Sequence, residues 1–195
     1  RDSPHVYSLE NPDLNLDVRY LPFYALASMW RMIAAMVLSL VIGLLAGYLA
    51  AVNRRWNLLI LPAADILQSV PVLGFFPAAF FLFIRIFSGR YTAIGVEMAA
   101  IFLIITSALW NLIFAVYESV TTIPEDLTLA AQQFGLRGYI EWTRLVLPAV
   151  MHKLAYNSMI SWANGWYFLI ASEVIVNDPI HYRLPGLGSY LGQTM

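Results

Sequence analysis

The sequence predicts an all-α membrane protein with about four spanning helices, and three observations carry that prediction. Hydrophobic residues make up 60% of the 195 residues and charged residues only 12%, where a soluble domain would carry roughly 25% charge. The mean hydropathy is +0.68. Apolar runs recur along the chain, each near the roughly 20 residues needed to cross a hydrocarbon core, with short polar or Pro/Gly-bearing breaks between them.

Composition also excludes several function classes. The formal net charge of −1 gives no electrostatic reason to expect nucleic acid as a partner. Cys is absent, which removes disulfides, thiol nucleophiles and Cys-based metal sites. His5, His152 and His181 are far apart in sequence, so no metal site is expected. No nucleophile elbow, no H-E-x-x-H and no phosphate-binding G-x-x-x-x-G-K occurs. The chain is therefore not expected to be an enzyme, and ATP would have to bind elsewhere. Asp65 and Glu173 could act as intramembrane acids and His152 beside Lys153 as a base, but no such motif accompanies them.

Taken in order, residues 1–23 read as a polar lead-in loop, rich in Asp, Asn and Pro and lacking the pattern of a signal peptide. Pro22-Phe23-Tyr24 opens the first long apolar run, which extends to Val52. Its Gly43 and Gly47 form a G-x-x-x-G, a spacing that lets two helices approach closely in lipid. Asn53-Arg54-Arg55-Trp56 ends the run with positive charge and an interfacial aromatic.

The second run, Leu58 to Phe87, contains Pro62, Pro71, Gly74 and Pro77. Proline removes backbone donors and kinks helices, so two helical pieces are expected. Irregular backbone at membrane depth survives only inside protein or beside water. Ser88-Gly89-Arg90 makes a turn, a third run covers Ile94 to Val120, and a fourth covers Ala149 to Val176, stopped by Asn177-Asp178-Pro179. The Gly- and Pro-rich tail from His181 to Met195 is expected to be a loop.

The segment Thr122 to Pro148 is polar and lies between two apolar runs. Thr122 and Glu125 have capping-box spacing, and Pro124, Glu125 and Asp126 suit a helix start. Leu127, Ala130, Ala131 and Phe134 fall at i, i+3, i+4 and i+7 and share one face. Gly135 supplies a helix end, and a second short helix is expected from Tyr139 to Leu147, ended by Pro148. A stripe built on two alanines suits a helix that lies in another protein's groove. The other reading, a helix lying on lipid, predicts a Lys/Arg-rich polar face, whereas this one carries Glu125, Asp126, Gln132 and Gln133.

This segment resembles the cytoplasmic EAA loop of binding-protein-dependent ABC permeases, which reads E-A-A, three residues, Gly, nine residues, I-x-L-P. The matching places hold Leu129-Ala130-Ala131, Gly135 and Leu145-Val146-Leu147-Pro148, with every gap kept. Leu129 stands for the family's Glu, leaving Glu125 or Asp126 to supply a carboxylate there. Ser28, Arg31, Ala171-Ser172-Glu173-Val174 and Leu184-Pro185-Gly186-Leu187-Gly188-Ser189-Tyr190 are similar to the nitrate, sulfonate and taurine branch.

The resemblance implies the helical bundle of a type I importer permease over residues 24–195, with a coupling loop at 122–148 and a last spanning helix missing from this segment. It implies a multi-pass protein of the bacterial inner membrane, surrounded by lipid, with residues 1–23 outside the cytoplasm. Expected partners are cytoplasmic ATPase subunits that carry ATP and Mg, an extracytoplasmic substrate-binding protein, and a second permease half (homodimer, heterodimer or fused). The chain itself is expected to bind no cofactor. The branch implies a small anion such as nitrate, sulfonate or taurine as substrate.

Leu127, Ala130, Ala131, Phe134 and Gly135 are then the expected ATPase-docking residues. For the substrate pathway the candidates are Gln68, Ser69, Asn157, Ser161, Asn164 and Glu173, because polar groups in spanning helices are costly and face the interior. Helix-to-helix hydrogen bonding is the other use open to each of them. Asn157, Ser161 and Asn164 recur at i, i+4 and i+7, and Glu173 is expected near the outer boundary. Arg31 and Arg85 either attract anions or, as the chemistry of long cationic side chains favours, snorkel to the interface. An ion-gradient-driven secondary transporter is the alternative, although such proteins repeat broken helices in two halves and only the second run is broken here.

Overall fold

The computed structural model describes residues 18–87, 89–175 and 184–194. All regular structure among them is helical, as the sequence predicts. Most of the expected lead-in and the stop at Asn177-Asp178-Pro179 lie outside the described residues.

A 3-10 turn at Val18–Tyr20 passes directly into α1, Leu21–Val52. Pro22 stands in the first turn of α1, where its missing N–H leaves no helical bond unmade. The helix therefore begins slightly ahead of the apolar run. Asn53 alone separates α1 from α2, Arg54–Ser69, and it caps α2 by accepting a 2.9 Å bond from the Arg55 N–H. Asn57 donates back to the Ala50 carbonyl at 3.1 Å, so the corner is fixed from both sides.

The expected break of the second run occurs at one proline only. Val70 is extended (φ −79, ψ 127), the conformation a residue before proline prefers, and α3, Val72–Ile86, starts after Pro71. Pro62 and Pro77 lie inside α2 and α3. A 3-10 turn at Gly89–Tyr91 leads into α4, Thr92–Thr121. Val18–Val52 and α4 are long and apolar enough to cross a membrane.

The polar segment forms α5, Glu125–Gln133, and a single turn α6, Tyr139–Glu141. A π-helical turn, Trp142–Val146, then joins α6 to α7, Leu147–Ile175, with no interruption. The expected stop at Pro148 is thus corrected. The π turn widens the helix just where an α turn would press the proline ring against the Arg144 carbonyl, and the Leu147 N–H bonds instead to Trp142. The tail is corrected as well: Leu187–Thr194 forms helix α8 rather than a loop. Gly188 and Gly192 lower its helix propensity, but tertiary contacts described below override that cost.

The chain divides into two compact units. The first comprises Arg1–Met36, Pro71–Ile105 and Gly165–Met195. Its apolar core is Phe76 and Phe80 of α3 against Val96, Ala99, Ala100 and Leu103 of α4, closed by Leu184. Tyr24 and Tyr190 pack with ring centroids 6.2 Å apart.

The second unit comprises Val37–Val70 and Thr106–Asn164. Here the G-x-x-x-G of α1 lies against α4. A Cβ at Gly43 would stand 2.8 Å from the Leu112 Cβ, and one at Gly47 would stand 2.7 Å from both the Ile113 carbonyl oxygen and the Val116 Cβ. These glycines are required by close approach, since the obstacle at Gly47 includes backbone that cannot turn aside. Gly47→Ala should therefore cost about 1–3 kcal/mol by overpacking, read as a lowered melting midpoint of the detergent-solubilised protein, while Gly192→Ala, 3.7 Å from its nearest neighbour, should leave the midpoint unchanged.

Candidate functional site

The first candidate is the segment around α5, in the second unit. Glu125 and Asp126 occupy its first turn, where carboxylates complement the helix dipole. The expected capping box does not form: the N-cap position is Pro124, without a side-chain bond. The Thr122 hydroxyl donates instead to the carbonyls of Glu118 at 2.7 Å and Ser119 at 3.3 Å. The Glu118 carbonyl also accepts the Thr122 N–H at 3.1 Å, and both carbonyls lie in the last turn of α4, so the end of that helix takes the hydroxyl that the start of α5 would have used.

Gly135 ends α5 at φ +71, as expected, and Gly138 turns the chain into α6 at φ +59. The Leu136 N–H closes the end by donating to the Ala131 carbonyl at 2.9 Å. The shared stripe is split by its surroundings. Ala131 is buried (5% exposed) and Ala130 half-buried, while Leu127 is 52% and Phe134 83% exposed, and Gly135 is open to solvent. Ala131 thus packs inward and the large apolar groups point out. Beside α5, a hollow of about 350 Å³ is walled by Ile123, Pro124, Leu127, Leu145 and Ala149, with His152 and Lys153 at its rim. Lys153 pairs with Glu118 at 2.6 Å, but both are well exposed, so the pair contributes little stability.

The expected pathway residues do not form one constellation. Gln68 and Ser69 are exposed and bond within α2, to the Asp65 carboxylate and carbonyl respectively, both at 2.8 Å. Ser161 is buried and accepts from Asn111 at 3.0 Å, and the same amide donates to the Asn157 carbonyl at 3.2 Å. The Asn157 side chain bonds back to Lys153 at 2.9 Å, and Asn164 is exposed.

Glu173 is different. It lies in the first unit with no exposed surface. Its Oε1 accepts from the Ser28 hydroxyl at 2.7 Å and from Arg31 Nη1 at 2.8 Å, and its Oε2 accepts from the Gly188 N–H at 2.7 Å. Arg31, 2% exposed, also donates to the Pro185 carbonyl at 3.0 Å and binds Glu97 through Nε and Nη2 at 2.5 and 2.6 Å. The Leu187 N–H donates to the Ser28 hydroxyl at 3.0 Å, and Ser189 donates to the carbonyls of Glu173 at 3.1 Å and Leu184 at 2.5 Å. Arg31 therefore neither snorkels nor awaits an anion. Two carboxylates already neutralise it, and burial makes that pairing obligatory.

The arrangement is one of tied membrane helices and an outward apolar patch, with no catalytic grouping and no cluster of metal ligands among the described residues. The family of binding-protein-dependent transport system inner membrane components matches residues 39–193. The chain belongs to that family. It is 25% identical over 166 residues to the bicarbonate transport system permease protein CmpB of Synechococcus elongatus, covering 85% of the chain and 54% of that protein. It is 23% identical to a probable ABC transporter permease of Brucella melitensis, covering 81% and 61%, and 24% identical to the nitrate import permease protein NrtB of Leptolyngbya laminosa, covering 76% and 50%. The chain thus spans about half to three-fifths of the length of these relatives.

Two residues of the chain escaped the sequence reading. Glu97 is a carboxylate in an otherwise apolar spanning run, and Asn111 an amide in the same run. Each is a costly group that requires a partner in lipid, which is the signal that marks them. Arg31→Met leaves Glu173 buried without its cation and should cost about 3–5 kcal/mol; Ser28→Ala should cost about 1–3 kcal/mol. Thermal unfolding of the purified protein measures both, and equal midpoints for the two variants would contradict the assignment.

Proposed function

We propose that this chain is the multi-pass permease subunit of an ABC importer, moved between inward and outward openings by ATP hydrolysis on separate cytoplasmic subunits that dock at α5. The observation that carries this reading is Phe134, an aromatic side chain 83% exposed at the C-cap of a short helix that also exposes Leu127. A soluble face gains nothing from such a ring, whereas aromatic anchors dominate protein interfaces. Within the docking set of Leu127, Ala130, Ala131, Phe134 and Gly135, the outer members meet the ATPase. Ala131 seats α5 on its own unit, and Gly135 lets the chain leave the helix.

Coupling needs a bistable element that both sites bias, and α5 is that element in this proposal. ATP and Mg bind to the partner. A second permease half completes the pathway, and an extracytoplasmic binding protein delivers the substrate. The relatives named for bicarbonate and nitrate support a small planar oxyanion as that substrate. Gln68, Ser69, Asn157, Ser161 and Asn164 are proposed to face the pathway. Glu173, with both oxygens already engaged, is proposed to brace it.

The test uses the absence of cysteine. A single cysteine in place of Phe134, in the full-length protein in native membranes, should crosslink to an ATPase subunit through a short bifunctional reagent. Phe134→Asp should reduce ATP-driven uptake roughly 30-fold at unchanged expression, the ratio that corresponds to losing an anchor of about 2 kcal/mol. Uptake that follows an imposed ion gradient and ignores ATP would overturn the importer reading.

A further inference from the structure

We infer that the buried Arg31 cluster is a two-armed latch, with Glu173 as its fixed arm and Glu97 as its releasable arm, so that the first unit opens between α1 and α4. The two carboxylates hold the same guanidinium, but in unequal ways. Glu173 has no exposed surface and takes a hydroxyl, a guanidinium and a backbone amide as donors. Glu97 is 38% exposed and spends both oxygens on Arg31.

Packing sharpens the asymmetry. A Cβ at Gly186 would collide with the Glu173 carboxylate, and one at Gly188 would stand 2.7 Å from the Ile170 carbonyl oxygen and 2.9 Å from the Glu173 Cβ. The turn before α8 is thus moulded around the fixed arm. Arg31 and Ser28 bond the same turn to α1, whereas its contact with α3 and α4 is the apolar one of Leu184, which has no directional bond to break.

Charge arithmetic then selects the line of opening. One guanidinium faces two carboxylates, a sum of −1. If Glu173 let go, a carboxylate with no access to water would be stranded, which costs several kcal/mol. If Glu97 let go, the remaining Arg31–Glu173 pair would be neutral and Glu97, already 38% exposed, would leave the buried cluster. Only the second route leaves no unpaired buried charge. The same arithmetic keeps the cluster from serving as an anion site while latched.

The use of this latch in transport rests on the importer reading; its existence does not, so the primary test omits ATP. Ala35 stands one turn from Arg31 on the same face of α1 and is fully buried, and Ser189 of α8 is fully buried beside Glu173. Cysteines are placed singly at these two positions in the full-length protein, with any cysteine outside these 195 residues replaced, in its membrane and labelled with a small maleimide. Adding Glu97→Gln should speed labelling at Ala35→Cys roughly tenfold, the ratio expected for weakening one charge-assisted contact, and leave Ser189→Cys protected. Equal acceleration at both positions, or none at either, would overturn the latch. In the assembled transporter, ATP turnover should expose Ala35→Cys alone. Exposure by Glu97→Gln without any ATP effect would retain the latch and remove its role in transport.

Discussion

A guanidinium with almost no contact with solvent must be neutralised on the spot, because the cost of an unpaired ion in a medium of low polarity exceeds the whole stability of a domain. Arg31 imposes that condition on the first unit, and much of the local structure can be derived from it. Glu173 must approach from α7 and Glu97 from α4, and the Pro185 carbonyl takes a fourth N–H. Ser28, three residues before Arg31 on α1, lies on the same face and shares Glu173. Segments separated by more than a hundred residues are thereby fixed to one cation. The remaining lone pairs of Glu173 recruit the amide of Gly188, and so the order of α8, a helix with poor intrinsic propensity, depends on a charge buried in α1.

The second unit is built on the opposite principle. Its described interior holds no buried ion pair; close approach is achieved by Gly43 and Gly47, and polar groups are satisfied by amide and hydroxyl bonds such as Asn111 to Ser161. In lipid, such bonds are modest and reversible. A region expected to transmit motion benefits from contacts that can slide and reform, while a buried ion pair has few alternatives between closed and broken.

The helical class, the two pieces of the second run and the end of α5 at Gly135 were legible because each rests on local chemistry: apolar length, a proline after an extended residue, a glycine at positive φ. What the sequence could not show was competition for a shared group. Thr122 has the spacing of a helix cap, yet the end of α4 claims its hydroxyl. Pro148 has the look of a terminator, yet one π turn lets the helix continue. Ser28, Arg31, Glu173 and the segment from Leu184 to Tyr190 stood out individually as marks of a permease branch, but only the fold shows that they touch. Ala131 shared a helical stripe with Phe134, and periodicity alone cannot say which part of that stripe is covered by the protein itself.

The inward turn of Ala131 also bears on how α5 can act. At its start the chain is held closely: Thr122 is tied to two carbonyls of α4, and Pro124 fixes the entry angle. At its end, Gly135 and Gly138 at positive φ precede a one-turn helix and the π turn. A short helix with a stiff entry and a jointed exit does not move as a free body. Any load at Phe134 would act at the jointed end, and the turn of α5 about its entry would reach the π turn, where the helical ladder is already widened. α7 begins there and carries Glu173 two residues before its end at Ile175, so the π turn that follows α5 and α6 and the carboxylate that closes the Arg31 cluster belong to one continuous helix.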